Sequence, residues 1–355
     1  MTASPCEVSW FSALCDDDYE FLGVPDVRLQ ASFEHCRDLA LVAESGGFDN
    51  LLLPSGYALG IDSIAFAAGL APLLKRMRLL AAVRCGEMWP PQLARQLATL
   101  DQMLNGRLTV NIISSDIPGE ILASGPRYAR TVEVMQILGA LMNGESIDHQ
   151  GEFYNVKLDA PRVRTVSGRR PLFYFGGLSE DAREAAAEAA DVYLMWPDRM
   201  DMVREIVADL SARAAKRGRT MKFGYRVHVV VRDTEAEARL AADRLLSKLD
   251  DAEGEKIRNR SLDSASYGVR RQAELRQASG TEGYAEANLW TGIGRARSGC
   301  GAAIVGDPDQ VLAKLNAYRE LGIDAFILSG YPHANEADLF ARHVLPRMTH
   351  GPLAW

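Results

Sequence analysis

The chain has 355 residues, of which 47% are hydrophobic and 25% charged, and its formal net charge is -7. This composition is typical of a globular protein with a sizeable core, and the charge argues against nucleic acid as a partner. The start, MTASPCEVSWF, lacks the regions of a signal peptide, and the longest apolar stretch is too short to span a membrane. Five scattered cysteines predict reduced thiols and a cytoplasmic protein, and the six histidines show no metal-ligand spacing.

Apolar segments rich in β-branched residues alternate with helical patterns along the chain. Strands are predicted at residues 7–14, 48–54, 77–84, 107–115, 171–177, 191–196, 222–232 and 324–330. Helices are predicted near residues 32–46, 62–74, 91–104, 127–143, 179–190, 199–216, 234–249, 308–320 and 335–347. Such alternation indicates parallel strands joined by right-handed crossovers. Eight units at this length predict an α/β fold, a (β/α)8 TIM barrel with insertion loops, as one domain over residues 1–355.

Two stretches do not fit the repeat. Residues 144–170 resemble a loop with a short hairpin, and residues 250–300 are polar and charged before the strand-like AAIVG at 302–306. Long loops inside a compact domain usually serve as lids or assembly surfaces. We therefore expect the segment 250–300 to be a lid over the active site.

The predicted strand YRVHVVVR, residues 225–232, carries charge on one face. Because side chains alternate along a strand, Arg226 and His228 lie opposite the valines, and we expect them to point into the barrel. A buried charge is costly unless it meets a partner or a polar cavity, so the pair indicates the lining of a site. Arg226 lies in mid-strand, which would fit a strand that begins before the barrel proper.

Two loops have the composition of an anion site. In FGGLSEDA, Gly176 and Gly177 permit close approach of a ligand, and Ser179 is placed to cap a helix whose free N–H groups suit a phosphate. A plain capped helix would look the same. In GIGRARSGCG, residues 292–301, two arginines lie among several glycines, as expected of a loop that closes over an anionic substrate. A solvated basic loop is the alternative.

Six longer segments resemble the bacterial-luciferase-like, FMNH2-dependent alkanesulfonate monooxygenases. They are ATLDQMLNGRLTVNI (98–112), RYARTVEVMQIL (127–138), LFYFGGLSEDA (172–182), FGYRVHVVVRDTEAEA (223–238), LWTGIGRARSGCGAAIVGDPDQV (289–311) and GIDAFILSGYPH (322–333). The resemblance implies cleavage of the C–S bond of an organosulfonate by O2 and reduced FMN, giving an aldehyde and sulfite. It also implies a separate NAD(P)H-dependent flavin reductase as partner and a homodimer or homotetramer.

The resemblance assigns roles to residues of this chain. Arg226 and Arg297 would hold the sulfonate, and His228, Tyr331 and His333 would complete the catalytic set. The base is left between His228 and a partner of the arginine site. The residues that match the flavin site are Asn111, Ser114, Tyr128, Gly176, Gly177 and Ser179.

Three loops depart from the alkanesulfonate pattern. The loop PSGYALGIDS, residues 54–63, lacks the usual cysteine, RCGEMWPP introduces Glu87 and Trp89, and Ser115 and Asp116 replace a glycine pair. A hydroxyl-rich ring needs carboxylate acceptors and an aromatic surface, whereas an alkyl chain does not. These changes are similar to those of the sulfoquinovose monooxygenase subgroup, so Glu87 and Trp89 are predicted to contact a sulfonated sugar.

Three alternatives stay open on the sequence alone. One is a monooxygenase of the same family that acts on a simple alkanesulfonate or sulfone. Another is a deazaflavin-dependent oxidoreductase of the same superfamily, although the pair Arg226 and Arg297 argues against it. The third is a flavin- or sulfonate-binding protein without catalysis.

Overall fold

The computed structural model of the chain describes residues 5–15, 18–56, 60–259 and 266–355. Its strands are β1 (Glu7–Phe11), β2 (Asn50–Leu53), β3 (Arg78–Arg84), β4 (Leu108–Ile113), β5 (Ile147–Gln150), β6 (Asn155–Leu158), β7 (Phe173–Phe175), β8 (Val192–Met195), β9 (Lys222–Val231), β10 (Tyr284–Glu286), β11 (Leu289–Trp290), β12 (Ala303–Gly306) and β13 (Ala325–Ser329). Its helices are α1 (Phe33–Gly46), α2 (Ser63–Leu70), α3 (Pro90–Met103), α4 (Ser124–Met142), α5 (Glu180–Ala189), α6 (Met200–Lys216), α7 (Glu235–Leu246), α8 (Asp251–Asn259), α9 (Tyr267–Ala278), α10 (Pro308–Glu320) and α11 (His333–His343).

Eight strands close into a parallel barrel. Their order is β1, β2, β3, β4, β7, β8, β9 and β13, and β13 pairs back to β1. These are the eight strands predicted from the sequence, and the nine predicted helices are present as well. The prediction of a (β/α)8 TIM barrel is confirmed.

Alternate side chains of each strand belong to two different packing layers. Leu52, Leu80, Tyr174 and Ile327 form one buried cluster inside the barrel. Their neighbours in sequence, such as Leu51, Leu79, Phe175 and Leu328, belong to the large cluster between strands and helices. This period of two is the alternation expected of a strand that is covered on both faces.

The two predicted insertions have more structure than expected of loops. Segment 144–170 contains the predicted hairpin, in which β5 and β6 pair antiparallel. Segment 250–300 was predicted as a polar loop, but it forms α8, α9 and the short strands β10 and β11. Residues 260–265 of this segment, and residues 57–59 of the loop after β2, lie outside the described residues. Among the helices of the described ranges, none is both long and apolar enough to cross a lipid bilayer.

Candidate active site

Strand β9 places Arg226 and His228 at the mouth of the barrel. Arg226 pairs with Ile327 of β13, and His228 pairs with Ser329, the last residue of that strand. Beyond this point β9 continues to Val231 and pairs with β12 instead. The prediction that β9 begins before the barrel was therefore wrong. Compared with its neighbour β13, β9 extends further at its carboxyl end. Both side chains point inward, as predicted, since Val227 and Val229 pack in the outer layer.

His228 is fully buried, and its ring is held on one side by a hydrogen bond. Its Nδ1 atom lies 2.7 Å from the Ser329 hydroxyl oxygen, and its ring stacks on Tyr331 at 5.1 Å between centroids. Among the described residues, the Nε2 atom of His228 has no hydrogen-bond partner. Burial, and then the positive charges of Arg226 and Arg297, hold the pKa of His228 well below its ordinary value. The imidazole is therefore neutral at neutral pH.

The two predicted sulfonate-binding arginines share one aromatic ring. The guanidinium carbon of Arg226 lies 4.3 Å from the ring centroid of Phe11, and that of Arg297 lies 5.3 Å from the same centroid. Arg297 also donates a hydrogen bond of 2.8 Å to the Tyr331 hydroxyl. Both positive charges lower the pKa of His228, so the electrostatic potential that they produce at its ring is positive. This arrangement suits an anion with several oxygens.

His333 completes the same cluster. It is fully buried, and its ring centroid lies 5.9 Å from that of Phe11 and 5.2 Å from that of Tyr331. The structure thus brings together the five residues predicted as catalytic, although they come from β9, from the loop before β12, from the turn after β13 and from the start of α11. Phe11 was not predicted to belong to the site. The alternation of Glu7, Ser9 and Phe11 along β1 puts these three side chains on one face of the strand, but it does not show that Phe11 meets Arg226 and Arg297.

The buried neutral state of His228 predicts an acid-sensitive fold. In the unfolded chain this group titrates near pH 6.5, whereas its folded pKa lies well below that value. Its contribution to the free energy of unfolding is therefore complete above about pH 6.5 and falls by up to about 1.4 kcal/mol per pH unit below it. We expect His228→Gln to unfold with a weaker pH dependence between pH 7 and 5 in urea titrations. Equal slopes in His228→Gln and the wild type would contradict the prediction.

The predicted phosphate site lies at the start of α5. Ser179 caps this helix by accepting a hydrogen bond of 3.3 Å from the N–H of Ala182. A side chain on Gly177 would lie 2.7 Å from the Ala182 β-carbon and 3.2 Å from the Tyr128 hydroxyl, so only glycine leaves this cradle open. A side chain on Gly176 would lie 2.3 Å from a backbone oxygen of Leu194. Tyr128, Gly177 and Ser179 therefore lie together at the start of α5, and their contact with a phosphate stays a prediction.

The other two predicted flavin residues follow along β4. Asn111 lies on this strand between Ala82 of β3 and Tyr174 of β7. Ser114 comes directly after the strand, and its hydroxyl is buried with no hydrogen-bond partner among the described residues. A buried hydroxyl without a partner is costly unless a ligand satisfies it. The wall from β4 to β7 is thus suited to a polar ligand.

Glu87 and Trp89 lie on the rim after β3. A carboxylate oxygen of Glu87 lies 3.2 Å from the Nε atom of Arg84, an almost fully buried arginine at the end of β3. Trp89 is 53% exposed, and its ring edge faces Tyr154 of the segment 144–170 at 5.7 Å between centroids. The structure places both side chains at the same end of the barrel as Arg226. Contact of either one with a substrate stays a prediction.

The segment 250–300 packs over the end of β8. The indole of Trp196 fits against Gly268 of α9 and against Gly299, where an added β-carbon would lie 2.9 Å from the ring in either case. Arg271 of α9 forms an ion pair with the buried Asp198 at 2.6 Å. These contacts fix the loop that carries Arg297. No group of His, Cys, Asp and Glu side chains in the described part of the chain could hold a metal ion.

Comparison with known proteins identifies the family. The family of luciferase-like monooxygenases matches residues 21–325. The chain belongs to this family. It is 68% identical to the sulfoquinovose monooxygenase of Novosphingobium aromaticivorans, with 99% of both chains covered. It is 55% identical to the sulfoquinovose monooxygenase of Agrobacterium fabrum, with 96% of this chain and 89% of that protein covered.

Solved structures of luciferase-like fold agree with the barrel. DmoA from Hyphomicrobium sulfonivorans matches with a TM-score of 0.80 at 18% identity, covering 99% of this chain and 90% of that one. The oxygenating constituent of 3,6-diketocamphane monooxygenase from Pseudomonas putida, solved in complex with FMN, matches with a TM-score of 0.70 at 16% identity and covers 98% and 99%. The predicted resemblance to luciferase-like enzymes, and among them to sulfoquinovose monooxygenases, is confirmed.

Proposed function

We propose that this luciferase-like monooxygenase uses reduced FMN and O2 to cleave the C–S bond of sulfoquinovose, giving 6-oxo-glucose and sulfite. The observation that carries the proposal is the pair Arg226 and Arg297 over the Phe11 ring, beside the neutral His228, in a chain 68% identical to a sulfoquinovose monooxygenase. Two guanidinium groups can bind the three oxygens of a sulfonate with charge-assisted hydrogen bonds.

His228 is the group we assign to proton transfer at the substrate. When Nδ1–H donates to the Ser329 oxygen, Nε2 is an acceptor, and this atom has no other hydrogen-bond partner among the described residues. The positive charges nearby make the free imidazole a weak base. A bound sulfonate offsets these charges, so the pKa of His228 rises as substrate binds. Tyr331, held by Arg297, would orient the substrate, and His333 would support its ring.

The wall from β4 to β7 fits FMN. Ser179 and the first N–H groups of α5 would hold the phosphate beside Tyr128 and the open cradle of Gly176 and Gly177. Asn111 and the buried hydroxyl of Ser114, which has no hydrogen-bond partner in the described part of the chain, would contact the flavin ring. When bound, reduced FMN supplies the electrons that activate O2.

Loss of the Ser179 hydroxyl is expected to weaken FMN binding by about 10- to 100-fold, the worth of a hydrogen bond to a charged group. Ser179→Ala also removes a helix cap, so Ser32→Ala, which removes the cap of α1, is the control. Riboflavin, which lacks the phosphate, should bind Ser179→Ala and the wild type equally in fluorescence titrations. An equal loss of FMN and riboflavin affinity would contradict the phosphate assignment.

The rim after β3 and the segment 250–300 would select and enclose the substrate. We assign the Glu87 carboxylate and the half-exposed Trp89 ring to the hydroxyl-bearing ring of the sugar. We assign the segment 250–300 to a lid that excludes water, because its α9 and Gly299 pack on Trp196 above the barrel.

Other parts of the proposal concern the partners and the setting. An NAD(P)H-dependent flavin reductase would deliver the reduced FMN, and the chain would act as a homodimer or homotetramer. The five free cysteines fit a reducing compartment, so we place the reaction in the cytoplasm.

The test is release of sulfite under air from sulfoquinovose, methanesulfonate and octanesulfonate, each with FMN, NADH and a generic flavin reductase. We expect sulfite from sulfoquinovose far above the two alkyl compounds, and none without FMN. Sulfite from the alkyl compounds alone would support cleavage of a C–S bond but contradict sulfoquinovose as the substrate. No sulfite from any compound, with hydride transfer to a deazaflavin instead, would contradict the proposed function.

A further inference from the structure

Asp18 is a buried carboxylate that joins three parts of the chain behind the candidate active site. It is 4% exposed and lies in the loop after β1. One carboxylate oxygen accepts hydrogen bonds of 2.9 Å from the backbone N–H groups of Tyr19 and His333. The other oxygen lies 2.9 Å from the Nε2 atom of His35 in α1. A carboxylate with acceptor bonds on both oxygens is held in one orientation.

The bond to His333 fixes the start of α11. Pro332 occupies the cap position of this helix and makes no side-chain capping bond. Asp18 therefore satisfies the first N–H of α11 from a loop that is 315 residues away in sequence. A negative charge is also favourable at the amino end of a helix.

The Asp18 carboxylate is connected to Tyr331 in two ways, through His333 and through Tyr19. Tyr331 lies two residues before His333, so the turn between β13 and α11 that carries both rings is held at its far end by Asp18. Tyr19, whose N–H also bonds Asp18, packs its ring edge on Tyr331 at 5.6 Å between centroids. Tyr331 in turn stacks on His228 and accepts the hydrogen bond from Arg297.

We propose that Asp18 is a positioning residue for the desulfonation reaction, and that it holds Tyr331 and His333 in register with Arg297 and His228. This inference rests on the proposed function. It assigns no contact between Asp18 and substrate or flavin. Displacement of reacting groups by about 1 Å can lower a rate by about a hundredfold, so the loss of such a support is measurable.

The chain offers a matched control at the opposite end of the barrel. Asp49, just before β2, accepts a bond of 2.8 Å from the N–H of Val8 and lies 3.0 Å from His350. It shares the chemistry of Asp18, a carboxylate between a backbone N–H and an imidazole. Because it lies at the amino ends of the strands, its loss should cost stability and leave the active site unchanged.

The experiment compares Asp18→Ala, Asp18→Asn and Asp49→Ala with the wild type, each rate being corrected for the fraction that binds FMN. We expect Asp18→Ala to lower kcat for sulfite release about 10- to 100-fold, with an unchanged Kd for FMN. The amount of hydrogen peroxide formed per sulfite released should rise. Asp18→Asn should recover most of the rate, because its amide oxygen still accepts from His333. Asp49→Ala should keep the wild-type kcat and peroxide ratio.

Three results would overturn the assignment while the wild type still releases sulfite. They are an Asp18→Ala variant as active as the wild type, an Asp18→Asn variant no better than Asp18→Ala, and an Asp49→Ala variant with the same loss of kcat. If the wild type itself releases no sulfite from any sulfonate, the proposed function fails, and the role given to Asp18 fails with it.

Discussion

Replacement of Arg226 by methionine is expected to lower kcat/KM for sulfite release by about a thousandfold. A charge pair buried in a protein typically costs about 3–5 kcal/mol to break, and 1.4 kcal/mol is about tenfold in rate. Arg226 is 2% exposed, so water cannot readily replace its guanidinium beside a bound sulfonate. Methionine fills similar space without charge. Because one of the charges that lower the pKa of His228 is then lost, that pKa should also rise.

The control for Arg226→Met is Arg107→Met. Arg107 donates three hydrogen bonds of 2.8–2.9 Å to backbone carbonyls near the amino end of β4, far from the mouth of the barrel. Its loss should reduce stability while sulfite release per folded enzyme stays within a few-fold of the wild type. FMN titration of Arg226→Met should show unchanged affinity. A variant of Arg226 that still desulfonates at the wild-type rate would remove the main support of the proposed function.

The barrel and one side of the site were predictable from local pattern. The eight strands alternate with helices, and the period of two in β9 is sufficient to place Arg226 and His228 on the inward face. Such patterns depend on neighbours in sequence, which the chain displays directly. The positions of the glycines and of Ser179 are likewise local, because they follow from the turn and the helix cap.

What could not be predicted depends on contacts between distant residues. Asp18 reaches His333 across 315 positions, and Phe11 meets Arg226 and Arg297 only because the barrel closes. No periodicity in one segment carries this information. The mid-strand place of Arg226 was misinterpreted for a similar reason, because the last residues of β9 pair with β12, which returns from the segment after α9.

The helices of the segment 250–300 were missed because they bury little. In α8 the buried residue is Gly254, and in α9 the buried residues are Gln272 and Leu275. A helix is recognised in sequence by an apolar stripe, and neither helix has one. Their placement depends instead on polar contacts, such as the ion pair of Arg271 with Asp198. Few buried apolar contacts are also what is expected of an element that opens and closes.

Gly299→Ala is expected to displace this segment and to lower kcat/KM for sulfite by about a hundredfold, the effect of a displacement of about 1 Å at the reacting groups. Gly299 has a φ of +84° and lies two residues after Arg297, and an added β-carbon would meet the Trp196 ring at 2.9 Å. The loop must move, and the bond from Arg297 to Tyr331 moves with it. Water then enters the active site, so the amount of hydrogen peroxide formed per sulfite released should rise in the assay with the flavin reductase.

Gly280→Ala separates backbone strain from the contact with Trp196. Gly280 also has a positive φ, +67°, and lies in the same segment, but an added β-carbon there meets nothing within 4 Å. Both variants carry the cost of a left-handed alanine, about 1 kcal/mol, so only the collision with the indole differs between them. Gly280→Ala should therefore keep the wild-type ratio of sulfite to peroxide. If the ratio of sulfite to peroxide falls equally in both variants, backbone strain anywhere in the segment is sufficient, and the contact with Trp196 is not what closes the site. If the ratio falls in neither variant, the segment is not a lid.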